Sequence, residues 1–267
     1  DVASGTTIAA HASANRVEPA SLVKLMTAYV VFIALTEKRI TLDDAVDVSR
    51  AAFAAPGRAG ARMFIEPGRS VTVQELLRGM IVASGNDAAV ALAEHTSGTQ
   101  AAFVERMNDE ARRLGLVDTR FANATGQSDP QQYSTARDLA RLALRIGSDF
   151  PQHLALFAER EVTYNGITQA NRNRLLWSDP TVDGMKTGHL EASGWSIVAT
   201  STGSPSAGSA ALAARAFAGA AFFVALAAVA EAAGPESVVP VGLMADSPTV
   251  VGAPLALAWS GPVPVAL

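Results

Sequence analysis

The chain has 267 residues, 49% of them hydrophobic and 17% charged, a globular balance that excludes a disordered protein and suits one large domain with or without a small second one. A net charge of -4 with no basic run argues against a nucleic-acid partner. The absence of cysteine removes disulfides, thiol catalysis and cysteine metal ligands, and His11, His95, His153 and His189 form no H-x-H or HExxH pair, so no metal is expected.

The start, Asp1-Val2-Ala3-Ser4-Gly5, carries no basic-then-apolar leader pattern, and residues 1–16 read as an edge hairpin turning at Ser4-Gly5. Pro19 opens a helix to residue 35, in a first-turn position where its missing N–H costs nothing. Thr41-Leu42-Asp43-Asp44 has helix-start chemistry, and residues 54–69, rich in Gly, Ala, Arg and Pro, read as a surface excursion. Residues 73–82 and 87–95 read as helices separated by Ser84-Gly85-Asn86, with Asp87 expected to cap the second. An amphipathic helix over residues 101–114 closes at Gly115, and another over 134–146 starts from Ser134 or Thr135. From Val162 the period changes: residues 162–164 and 183–200 read as strands, the latter folding back at residues 190–194.

Residues 206–233 read as a helix, whose most apolar part (216–230) is shorter than the roughly 20 residues of a bilayer span and is expected in a soluble helix. Residues 237–267 alternate Val, Pro, Leu and Gly as short strands do. Helices before strands predict an α/β (α+β) architecture, a mainly antiparallel sheet flanked by helices over residues 1–233. A boundary at Gly234-Pro235 would then open a partial β-rich domain over residues 234–267.

The helix from Pro19 is apolar on nearly every side, which marks a buried central helix. Its exceptions, Ser21, Lys24 and Thr27, recur at i, i+3 and i+6 and share a face. A buried lysine near a helix N-terminus holds its proton weakly, through desolvation and the helix dipole. That suits a general base beside the Ser21 hydroxyl. Alone, S-x-x-K is more often a capping serine with a snorkelling lysine, and Ser84-Gly85-Asn86 or Lys186-Thr187-Gly188 fits an ordinary loop or strand end. On helix, loop and strand in this order, the three resemble the motif set of penicillin-binding proteins and class A β-lactamases.

The resemblance extends to longer stretches. Residues 18–29 (EPASLVKLMTAY), 82–94 (VASGNDAAVALAE), 133–140 (YSTARDLA), 163–169 (TYNGITQ), 171–177 (NRNRLLW) and 182–189 (VDGMKTGH) are similar to the low-molecular-mass, serine-type D-alanyl-D-alanine carboxypeptidases. The family implies the penicillin-binding/β-lactamase-like transpeptidase fold. It also implies that Ser21 is the nucleophile, Lys24 its base, Ser84 a proton carrier, Asn86 a holder of substrate and Lys24, and Lys186 a source of positive potential. Thr187 and Arg172 would bind the substrate carboxylate, Gly188 belongs to the same strand, and the amides of Ser21 and His189 would form the oxyanion hole. The implied partners are a peptidoglycan stem peptide ending in D-Ala-D-Ala and β-lactams as covalent inhibitors, with neither cofactor nor nucleic acid. The implied location is exported, periplasmic or envelope, with any peripheral membrane attachment through segments outside this chain.

After Thr200 the likeness fails, and residues 201–233 do not supply the sheet strand that the family has next. Glu159 and Glu161 lie in the interval where a class A β-lactamase carries its deacylating glutamate, although Phe157-Ala-Glu-Arg-Glu-Val-Thr-Tyr looks like the carboxypeptidases. A D,D-endopeptidase or transpeptidase shares every motif, and a non-catalytic wall-binding protein is the rival from another class. Arg172 shares its segment with Arg174, and Trp177 and Trp195 are expected as core or strand residues.

Overall fold

The structure, a computed structural model, describes residues 10–201 and the backbone of Phe222–Leu226 and Leu243–Met244. The expected Ser4-Gly5 turn, the Gly234-Pro235 boundary and most of residues 201–267 lie outside the described residues. Residues 11–14, expected at the end of the N-terminal hairpin, form a bend and turn.

A short 3-10 turn, Ala20–Leu22, leads into the central helix α1 (Val23–Thr36). Nearly every side chain of α1 is buried, polar Lys24 and Thr27 included, as its all-round apolar composition requires. Thr41 does not start a helix. Its amide donates to the Asp44 carboxylate at 3.0 Å, closing a turn that feeds strand β1 (Ala45–Asp47). Ser49 then caps α2 (Arg50–Ala54), and β1 pairs antiparallel with β2 (Ser70–Thr72). Between them, Met63 and Ile65 are buried in the main core, so residues 54–69 are more than a surface excursion.

Thr72 and Glu75 form a reciprocal capping box that starts α3 (Val73–Ile81). Next come α4 (Asn86–Ser97), α5 (Gln100–Arg113) and α6 (Ala136–Asp149), the last capped by Thr135. Gly115, with φ +68, ends the turn after α5 as its sequence position predicts. Helices α3, α4, α5 and α6 all touch α1, which places the residues that open α1 at the centre of the molecule.

The second half is sheet. After α7 (Ala155–Ala158), β3 (Glu161–Tyr164) and β4 (Ile167–Ala170) form a hairpin on Asn165 and Gly166, both at positive φ. A short helix α8 (Leu175–Ser178) precedes β5 (Val182–Leu190), which pairs antiparallel with β6 (Gly194–Ser201). Within the segment expected to be helical, Phe222–Leu226 instead form strand β7, parallel to β6, and β8 (Leu243–Met244) pairs antiparallel with β7. The run Phe-Phe-Val-Ala-Leu favours a strand by itself, a local signal that the alanine on either side masked, and it supplies the sheet strand that the sequence reading did not find after Thr200. In the order β5-β6-β7-β8, β5 is an edge strand, and it lies against the 3-10 turn before α1.

Candidate active site

The chain reaches Ser21 through Ala20 at φ 50, an unfavourable conformation for alanine that turns the serine out of the helix axis. Lys24 follows one turn later and is 1% exposed. Its Nζ lies 3.1 Å from Ser21 Oγ, 2.7 Å from Asn86 Oδ1 and 2.5 Å from the Thr125 carbonyl oxygen. The last two can only accept. A neutral amine therefore gives them its two protons and turns its lone pair toward the Ser21 hydroxyl.

The electrostatics favour that state. Burial, then the positive charges of Lys186 and Arg172, hold Lys24 well below the ordinary lysine value, with Asp87 opposing them in part. Lys186 is itself lowered to about 7, first by burial and then by Arg172. Its Nζ donates to the Thr187 carbonyl at 3.0 Å.

Ser84 is buried at φ 62 in the loop between α3 and α4. Holding a serine in the left-handed region costs roughly 1–3 kcal/mol, a strain that persists only where neighbours enforce it. Here they do: the Gly85 amide donates to the Gly79 carbonyl at 3.1 Å, and the Asn86 amide to the Ala61 carbonyl at 2.9 Å.

Across the cleft stands β5. A Cβ on Gly188 would lie 2.6 Å from Ser196 Oγ and 3.0 Å from the Ala20 Cβ, so only glycine lets the strand press against the nucleophile turn. Ser21, Ser84, Asn86, Arg172, Thr187, Gly188 and His189 line one cleft of about 480 Å³. Lys24 and Lys186 are buried behind that lining. Arg172 is aimed by its neighbours. Asn171 Nδ2 donates to the Glu159 carbonyl at 2.9 Å and Asn173 Nδ2 to the Gly184 carbonyl at 2.9 Å, so both amides point inward while Arg172 and Arg174 point out.

Asp87 and Asn123 contribute to the site in ways that the sequence reading missed. Asp87 is not the cap of α4, which begins at Asn86. Its carboxylate accepts the amides of Met63, Phe64 and Ile65. That anchors the segment following residues 56–61, which wall the cleft. Asn123 Oδ1 accepts from the amides of Thr125 and Gly126 and from the Thr125 hydroxyl, aiming the Thr125 carbonyl at Lys24. An Asn-x-x-Gly turn was visible as a signal, but nothing local tied it to Ser21. Trp177 and Trp195, expected as core or strand residues, are 47% and 49% exposed, although Trp195 does lie on β6.

Of the two glutamates that a β-lactamase reading would use, Glu159 is bound to the Arg78 guanidinium at 2.7 Å and Glu161 is exposed on β3. Neither lines the cleft. Among the described residues no group of three or more His, Asp or Glu stands together as a metal site. Nor, among them, is any helix long and apolar enough to cross a membrane.

Comparison with known proteins bears on the family and the fold. The family model described as D-alanyl-D-alanine carboxypeptidase, peptidase S11, matches residues 1–212. D-alanyl-D-alanine carboxypeptidase DacC of Escherichia coli (strain K12) is 44% identical over 206 residues, covering 76% of this chain and 52% of that protein. The chain thus spans about half the length of the curated relatives it matches. The crystal structure of penicillin-binding protein 5 from Haemophilus influenzae superimposes with a TM-score of 0.73 at 43% identity, covering 75% of this chain and 58% of that one. Penicillin-binding protein D2 from Listeria monocytogenes, solved in a cefotaxime-bound form, gives 0.68 at 29% identity, covering 75% and 81%. The penicillin-binding transpeptidase fold anticipated from the motifs is therefore the fold of this chain, and the chain belongs to the peptidase S11 family of D-alanyl-D-alanine carboxypeptidases.

Proposed function

We propose that the chain is the catalytic part of a serine D-alanyl-D-alanine carboxypeptidase that trims peptidoglycan stem peptides in the cell envelope. The observation that carries this reading is the position of Lys24, buried, held below its ordinary pKa and within hydrogen-bond reach of both Ser21 and Asn86. Ser21 Oγ attacks the carbonyl between the two terminal D-alanines while its proton passes to Lys24. The oxyanion is met by the amides of Ser21 and His189, each donor being worth about 3 to 4 kcal/mol in other hydrolases. The C–N bond then breaks, and the proton moves through Ser84 to the departing amine of D-alanine. Water attacks the remaining ester, Lys24 takes the proton of the water, and Ser21 Oγ recovers one.

Binding follows from the same cleft. Arg172 and Thr187 hold the terminal carboxylate, a charge-assisted contact. Asn86 and the edge of β5 hold the peptide backbone as an added strand. Lys186 contributes positive potential that keeps Lys24 neutral. β-Lactams, which carry a strained amide and a carboxylate at matching positions, would acylate Ser21. Work on such peptides requires export beyond the cytoplasm, with peripheral membrane attachment as a further part of the proposal.

Intact-protein mass after incubation with benzylpenicillin tests the nucleophile. A one-penicillin adduct that is absent in Ser21→Ala supports the reading. If penicillin is consumed with no adduct, a β-lactamase replaces it, and if penicillin survives untouched, a non-catalytic wall-binding role does.

A further inference from the structure

Arg78 and Glu159 meet at 2.7 Å and join two stretches of chain that each deliver a group to the cleft. Arg78 is in the last turn of α3, and that turn holds the Ser84 loop. The Arg78 carbonyl accepts the Val82 amide at 2.9 Å, and the Gly79 carbonyl accepts the Gly85 amide at 3.1 Å. Glu159 follows α7, and its carbonyl accepts from Asn171 Nδ2 at 2.9 Å while the Arg160 carbonyl accepts the Asn171 amide at 2.7 Å. Asn171 Oδ1 accepts the Asn173 amide at 2.9 Å, so Arg172 sits between two residues fixed to this frame. The side chains of the pair are 38% and 25% exposed, and ion pairs so open to water add little to stability.

We infer that Arg78 and Glu159 are positioning residues, a brace that sets the separation of Ser84 from the Arg172 guanidinium. The inference rests on the carboxypeptidase reading above, in which both groups serve the departing D-alanine. Ser84 passes a proton to its amine, and Arg172 holds its carboxylate. Amine and carboxylate sit on one carbon of that residue, so covalent geometry fixes their spacing. Only a narrow range of separations between Ser84 and Arg172 serves both at once.

Packing alone does not supply that precision. Val82, Ala83 and Val162 form a buried apolar cluster where the Ser84 loop meets β3, but apolar contact is non-directional and tolerates sliding. A guanidinium–carboxylate contact has a preferred length and angle, and this one lies at the junction of the two frames. Neither residue lines the cleft, so the pair acts only through what it holds. Glu159, in the interval where a β-lactamase would carry its glutamate, thus serves placement of the groups around the departing residue and not deacylation.

The test compares kcat/KM for a peptide ending in D-Ala-D-Ala with that for the same peptide capped as its terminal carboxamide. The proteins are the wild type, Arg78→Gln, Glu159→Gln and the double variant. The wild type should prefer the free acid. Each single variant should lose about tenfold on the acid, the scale of one misplaced charge-assisted contact. On the carboxamide, which gives Arg172 no carboxylate to hold, each should stay within about twofold. That second figure also certifies that fold and nucleophile are intact. The double variant should lose no more than either single one, because the two side chains make one contact. An unchanged preference for the acid in the single variants overturns the brace and leaves the carboxypeptidase standing. Equal losses on both substrates overturn it as well, since they report general loosening, and so do additive losses in the double variant. A wild type that cleaves acid and carboxamide equally well removes Arg172 as the carboxylate holder and the brace with it. Cleavage of neither peptide removes the functional reading and the brace together.

Discussion

Gly126 lies so close to Ala20 that a Cβ built on it would stand 1.9 Å from the Ala20 carbonyl oxygen and 2.9 Å from the Ser21 nitrogen. The turn that contains it also presents the Thr125 carbonyl to Lys24. One short segment therefore supports the backbone of the proposed nucleophile and fixes the proton inventory of its base. At φ +82, Gly126 could not readily be replaced even if space were available.

Gly126→Ala should consequently slow acylation of Ser21 by about a hundredfold or more, since a displacement of order 1 Å at a reacting group has that effect. The rate constant with a fluorescent penicillin, measured by stopped flow, is the readout. A near-normal rate would mean that Ser21 tolerates movement of the Ala20 backbone.

Lys186→Met removes the cation that lowers Lys24 most, so the Lys24 pKa rises and the acid limb of the acylation profile moves to higher pH. Stability should respond too. In the folded protein Lys186 titrates at about 7 instead of 10.5, so between those values the unfolded chain binds more protons and wild-type stability rises with pH. Above the unfolded value no penalty remains, and below about 7 it is complete. The variant should therefore show a flatter dependence of urea midpoint on pH across this window. Parallel curves for the two proteins would argue that Lys186 is not depressed.

Asp87→Ala leaves the amides of Met63, Phe64 and Ile65 without their acceptor. Buried orphaned donors should cost about 2–4 kcal/mol in urea unfolding, with Asp87→Asn in between because its single amide oxygen still accepts. Acylation should weaken alongside, since residues 56–61 lose the anchor of their wall. If stability is unchanged, those amides have found other acceptors.

Much of this was readable beforehand wherever the signal was local. Helix α1 announces itself by being apolar all round, α6 by Thr135 and α5 by Gly115. The triplets at Ser21, Ser84 and Lys186 stand on helix, loop and strand as anticipated, and their residues meet at one cleft. The readings that failed share a cause. Thr41-Asp44 has the composition of a helix start, yet the same side-chain hydrogen bonds close a turn equally well. Residues 222–226 are themselves strand-favouring, but they sit in an alanine-rich stretch whose average reads as helix, and they pair with β6. Asp87 stands where a cap belongs, but buried amides 22 to 24 residues earlier in the chain claim its carboxylate.

The sequence by itself determined much of the order of the elements and the family, because capping, periodicity and motif spacing are properties of neighbours along the chain. Only the tertiary structure decided that Lys24 has the Thr125 carbonyl as an acceptor beside Asn86, and that Arg172 joins Lys186 in lowering it. The same holds for the outward aim of Arg172 and the exposure of Trp177 and Trp195. The physical reason is that desolvation and electrostatic potential depend on what converges in space. Groups 62 and 101 residues apart set the state of one amine, and no local pattern encodes that meeting.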